Sequence, residues 1–167
     1  MLSLSWAASR PSSAAAILLA AGIFSGPASA QTATADLQVR MQITGGCAIE
    51  NVAPVDFGTE ALLTEEFEAT GSFDVRCTNA LPYDVALSNG ANAAGEVRRM
   101  AAAGEFIEYE LYSNAGRTIV WGDDTGEIVE GTGNGVAQPY TVYGEVPPQT
   151  TPTAGLYTDT VTITVTY

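Results

Sequence analysis

Chemistry in a protein usually starts from a base, a nucleophile or a metal ligand, and this chain has few of them. Its 167 residues include no histidine, and all six basic side chains are arginines. Without histidine no Ser-His-Asp or Cys-His relay can be assembled, and without lysine no Schiff base can form. The two cysteines, Cys47 and Cys77, lack both the C-x-x-C spacing and the histidine partners of a redox or metal site. Carboxylates are what remain. Glu108 and Glu110 alternate with Ile107, Tyr109 and Leu111, so they share one strand face, where a pair could act as acid and base on a glycoside. A solvated strand face has the same pattern and is the preferred reading. Asp123, Asp124, Glu127 and Glu130 could offer oxygens to calcium, but they lack the D-x-D-x-D-G spacing of a dedicated loop and read as an exposed turn. Trp121 and Tyr112 could form a platform for a sugar, although aromatics in a small domain are more often core. Arg98-Arg99 reads as an ordinary surface ion-pairing site. The expectation is a protein that is not an enzyme and uses no cofactor and no metal.

The elements that position these residues are strands. Apolar residues recur with a period of two, turn residues interrupt at short intervals, and no convincing helical stretch appears. The candidates are Ala33–Thr44, Ala48–Val55, Gly71–Cys77, Tyr83–Ser88, Glu96–Ala101, Phe106–Ser113, Arg117–Trp121, Tyr140–Val146 and Gly155–Tyr167. Glycine-, asparagine- and proline-rich turns separate them, among them Asn89-Gly90, the run 131–135 and Pro147-Pro148. Many short strands at this spacing predict an antiparallel β-sandwich.

Residues 1–30 read as a secretory signal peptide. Arg10 precedes a small, apolar run from Ala14 to Phe24, and the segment ends in an A-x-A pattern at Ala28-Ser29-Ala30. The run is short of the ~20 apolar residues that a membrane span needs. In an exported chain an even pair of cysteines reads as one disulfide, and closing the loop between Cys47 and Cys77 contributes roughly 3–4 kcal/mol. Nineteen acidic residues against six arginines give a formal net charge of −13. That balance excludes nucleic acid and anionic membrane surfaces as partners, because both are held by clustered cations.

An amphipathic pattern lies at each end of the exported part. From Ala33 the odd positions are Ala33, Ala35, Leu37, Val39, Met41 and Ile43, with polar residues between them up to Gly45-Gly46. At the other end, threonine fills every even position from Thr158 to Thr166. Tyr157, Val161, Ile163, Val165 and Tyr167 occupy the odd ones, in an apolar row broken by Asp159, which is expected to mark where a groove along this strand stops. No hairpin partner follows this last strand, so something else must cover its outer edge.

With these features in place the chain resembles a spore coat protein U domain, the fold of archaic (Csu-type) chaperone–usher pilins. The motifs run in order along residues 36–167: Gly46-Cys47, Phe57-Gly58, Phe73-Asp74-Val75-Arg76-Cys77 and Pro82-Tyr83 come first. Leu87-Ser88-Asn89-Gly90-Ala91-Asn92, Arg98-Arg99-Met100, Tyr109-Glu110-Leu111-Tyr112, Arg117-Thr118, Trp121-Gly122 and Gly155-Leu156-Tyr157-Thr158-Asp159 follow. The resemblance implies an all-β, incomplete immunoglobulin-like antiparallel sandwich that lacks its last strand. A donor strand from another subunit or a chaperone would complete it, by the known mode of strand addition to an open edge. It implies a donor extension over residues 31–45 and a domain over 46–167. Leu37, Val39, Met41 and Ile43 would be the donor residues, and Val161, Ile163, Val165 and Tyr167 would form the acceptor groove. The implied partners are a periplasmic pilus chaperone, an outer-membrane usher and neighbouring pilin subunits. The implied role is that of an exported structural subunit of a surface fibre, in adhesion and biofilm formation. Its length suits a shaft or minor subunit better than a two-domain tip adhesin. The alternative is a self-contained secreted or coat domain whose sandwich is already complete; a carbohydrate-active enzyme is a third and weaker reading.

Overall fold

The computed structural model describes residues 29–167; the signal-peptide reading of 1–30 therefore lies almost wholly outside the described residues. Two units separate at Arg40, and the second, from Met41 onward, carries all the regular structure found among the described residues. Among the described residues there is no helix. Eight strands follow in chain order: β1 Cys47–Ala53, β2 Phe67–Cys77, β3 Pro82–Leu87, β4 Arg98–Ala102, β5 Glu105–Tyr112, β6 Val129–Thr132, β7 Gln138–Val146 and β8 Ile163–Thr166. They form a five-stranded sheet in the order β1-β2-β7-β5-β4 and a three-stranded sheet in the order β6-β3-β8, all pairs antiparallel. The expected all-β antiparallel fold is what forms.

Alternating side chains from the two sheets make one core. Phe73, Val75, Val85, Leu87, Leu111 and Trp121 are its buried centre. Phe73 lies 5.7 Å from the Trp121 ring and 5.5 Å from that of Tyr140. Trp121 is 1% exposed and its indole N–H donates to the Val85 carbonyl over 3.0 Å, so it is a core residue rather than a sugar platform. The Cys47–Cys77 disulfide joins directly opposed residues of β1 and β2.

Four local readings are corrected. Arg117–Trp121 makes a single bridge, Val120 to Tyr112, because Asn114 caps the turn and takes the Thr118 and Ile119 amides on its side-chain oxygen. β6 forms inside the stretch read as a loop. There Gly131 lies flat against the Tyr83 ring, where a Cβ would come within 2.4 Å. Ala33–Thr44 carries no strand pairing, since alternation defines the faces of a strand without supplying its neighbour. Arg98, expected on the surface, is 1% exposed. Its guanidinium donates to the carbonyls of Leu87, Ser88 and Trp121 and pairs with Glu110. Five rigid donors can satisfy several strand-end carbonyls at once, which is why an arginine can be buried there.

β1 is an outer strand of the larger sheet, and its register with β2 slips between Glu50 and Ala53. Asn51 sits at the slip with a φ of 53°, held by its side-chain amide on the Asp74 carboxylate. Such a bulge bends a strand and breaks its ladder.

Candidate functional site

The site is a groove between the two sheets where the sandwich is left open. Beyond β1 the chain crosses inward over β2 and β7, at two glycines. A Cβ on Gly144 would stand 2.6 Å from Val55 and 2.9 Å from Phe57, and one on Gly71 would stand 2.9 Å from the Ala53 carbonyl. Only glycine permits so close an approach of backbone and side chain. The segment from Val52 to Glu60 thereby becomes one wall. The opposite wall is Gly155–Asp159 with Val161 and Ile163, and the floor includes Phe73, Tyr109, Leu111 and Val142. The cavity measures ≈ 780 Å³. Core side chains thus line a space the size of a ligand site or an extended strand.

The rim has unspent hydrogen-bonding capacity. Among the described residues β8 pairs with β3 alone, placing Thr166 opposite Asp84 and Ile163 opposite Leu87. Upstream of it, the carbonyls of Thr160 and Thr162 accept from the Ala91 and Ser88 amides. Peptide groups of a strand alternate sides, so the backbone of the even residues faces β3. That of Val161, Ile163 and Val165 faces the open edge, while their side chains are half-buried toward the core. An edge of this kind is a template for another strand.

Of the expected groove residues, Val161 and Ile163 line the cavity. Val165 packs against the core beyond its lining, and Tyr167 is exposed. Leu37, Val39, Met41 and Ile43 are 87%, 87%, 89% and 71% exposed, four large apolar side chains in water. Sequence reasoning missed Val55 and Phe57, although Phe57-Gly58 was visible as a motif. It also misplaced the groove's end. The groove does not stop at Asp159, because its lining continues to Gly155. Its carboxylate instead accepts from the Tyr109 hydroxyl over 2.7 Å and from the Asn92 amide and side chain, each over 3.0 Å. Burial first, then the hydrogen bond to Asp159, raise the Tyr109 hydroxyl far above its ordinary value. The phenol stays neutral and donating, and it ties β5 of one sheet to the chain entering β8 of the other.

The remaining chemical candidates are dispersed. Glu110 is engaged by Arg98, and the Glu108 backbone pairs with the Gln149 side-chain amide. Asp123, Asp124, Glu127 and Glu130 do not converge, and no group of three acidic, histidine or cysteine side chains is placed to hold a metal among the described residues.

Comparison with known proteins matches this arrangement. Residues 33–164 match the family model of the Spore Coat Protein U domain. The chain is 34% identical to Protein U of Myxococcus xanthus, over 92% of this chain and 96% of that protein. Among solved structures it resembles a chain in the CsuC–CsuE complex of a chaperone and a tip adhesion subunit, from the archaic chaperone–usher Csu pili of Acinetobacter baumannii. That likeness has a TM-score of 0.57 at 28% identity and covers 75% of this chain. The chain spans only 40% of the length of that solved chain. With the family model covering nearly all the described residues, the chain belongs to the Spore Coat Protein U domain family.

Proposed function

We propose that this chain is a structural subunit of an exported surface fibre, assembled by strand exchange between subunits. The observation that supports it most is the ≈ 780 Å³ groove of core side chains beside the unpaired edge of β8. In this reading Leu37, Val39, Met41 and Ile43 of one subunit enter the groove of the next, over Val161, Ile163, Val165 and Tyr167. Burying each such side chain contributes roughly 1.5–3 kcal/mol before ordering costs are subtracted. A periplasmic chaperone would occupy the groove during transit and an outer-membrane usher would receive the subunit. The similarity to a chain held in a chaperone–adhesion subunit complex supports that route. Adhesion and biofilm formation would be the role of the finished fibre.

The test is assembly by the full chain co-produced with its chaperone. Val39→Asp and Ile43→Asp should each abolish polymer while leaving a chaperone-bound subunit that still takes up a synthetic peptide copying residues 33–44. Uptake should raise the melting temperature with peptide concentration. Polymer that forms unchanged in both variants would overturn the proposal in favour of a self-contained domain.

A further inference from the structure

If the reading above holds, every copy carries both a groove and a segment able to fill it, joined by Gly45-Gly46. Self-filling would be an intramolecular event and should beat any partner at low concentration. The topology shows the path it would take. β8 runs toward the end of the sandwich where β1 begins: Thr166 opposes Asp84 near the start of β3, and Cys47 opposes Cys77 just before it. A reversal at Gly45-Gly46 would fold the preceding residues back along β8 and parallel to it. Gly-Gly is among the pairs that make two-residue hairpin turns, which require a left-handed φ.

That turn is absent, and named contacts oppose it. Neither Gly45 nor Gly46 has a left-handed φ. Gly46 continues the β1–β2 ladder one step past the disulfide. The Thr78 amide donates to the Gly46 carbonyl over 2.9 Å, and the Gly46 amide donates to the Thr78 hydroxyl over 3.1 Å. The same hydroxyl reaches the carbonyls of Gly46 at 3.3 Å and Thr44 at 3.4 Å. Gly45 lies against Leu81, where a Cβ would come within 3.3 Å. Residues 41–46 line no part of the groove, and Met41 and Ile43 stand in solvent.

We propose that Thr78 is a positioning residue. Its hydroxyl and amide hold Gly45-Gly46 straight, keep the segment out of its own groove and reserve that groove for a second copy of this chain. The inference rests on the strand-exchange reading and adds to it the choice between intramolecular and intermolecular filling.

The experiment compares the chain purified from a bacterial periplasm, unfolded with its disulfide intact and refolded by dilution over a range of concentrations. Native mass spectrometry and size exclusion separate compact monomer from assembled chains. Thr78→Val keeps the branched shape and removes the hydroxyl. It should raise the concentration-independent monomer about fivefold, as expected for the loss of one net hydrogen bond. Thr78→Ser, which keeps the hydroxyl, should behave as the parent. Gly45→Asn supplies an independent route, creating the Asn-Gly turn signal while pressing on Leu81, and should raise the monomer as well. An unchanged monomer fraction in both Thr78→Val and Gly45→Asn would overturn the inference. If Ile43→Asp still abolished assembly in that case, strand exchange would stand without the Thr78 device. If Ile43→Asp had no effect, both would fall.

Discussion

The Arg98 guanidinium donates to the backbone carbonyl of Trp121 over 2.8 Å, and both side chains are almost fully buried. The bond joins the start of β4 to the segment that places the largest core ring. Leu87 and Ser88, at the end of β3, supply two further carbonyls to the same guanidinium. A single cation therefore gathers three backbone carbonyls, two from the end of β3 and one from the segment that carries Trp121.

Replacing Arg98 by alanine strands those carbonyls in the core, at ~1–3 kcal/mol for each that water cannot reach. Arg98→Ala should lower stability by about 3 kcal/mol in guanidinium unfolding monitored by Trp121 fluorescence. Glu110→Gln should cost about 1 kcal/mol, since the Glu110 side chain is 31% exposed and water can replace its partner.

Gly144→Ala places a methyl group where Val55 and Phe57 lie, at 2.6 Å and 2.9 Å. Overpacking of this kind costs roughly 1–3 kcal/mol. The segment from Val52 to Glu60 should yield first because it is not part of a strand ladder beyond Ala53. The expected result is weaker uptake of the 33–44 peptide together with a lowered melting temperature, measured by titration calorimetry and thermal unfolding.

Glu145 stands directly opposite Glu68 on β2 and Glu110 on β5, a row of three carboxylates across three strands. Burial, then the Glu66 charge, raise its pKa above the ordinary 4.5; Glu68 and Glu110 act in the same sense, and Arg117 opposes them. The folded protein thus holds a proton at pH values where the unfolded chain has lost it. The stability from that proton is complete below pH 4.5 and is lost as pH rises through the raised value. Glu145→Gln should gain about 0.5 kcal/mol over the parent at pH 7, since like charges directly opposed destabilise a sheet. The gain should shrink as pH falls toward 4.5 in a series of urea titrations.

Reduction of Cys47–Cys77 removes the covalent tie between β1 and β2. Among the described residues β1 has no other strand neighbour, so it should be the element that loosens. Stability should fall by about 3 kcal/mol. Amide exchange should accelerate first between Ala48 and Ala53, read by mass spectrometry with and without reductant.

Much of this architecture was legible in the residues, and the exceptions share a cause. Strands such as β3, β5 and β7 alternate cleanly, because one face meets the core and the other meets water. The Ala33–Ile43 alternation was equally clean, yet an apolar face does not state whose core it will enter. Arg98 looked like a surface charge because sequence shows a cation but not the three carbonyls converging on it. β6 was hidden because its glycine is there to accommodate Tyr83, which is distant in sequence. Asp159 looked like an interruption because its acceptor role depends on Tyr109 and Asn92, both supplied by other elements. The groove's second wall escaped notice for the same reason: Val55 and Phe57 turn inward only where Gly71 and Gly144 leave room.

The bulge at Asn51 gives the molecule a handed asymmetry. β1 is bent where its outer edge would otherwise be a straight template, whereas the line through Val161, Ile163 and Val165 stays receptive. Copies that crowd together would therefore join along the β8 edge in preference to the β1 edge.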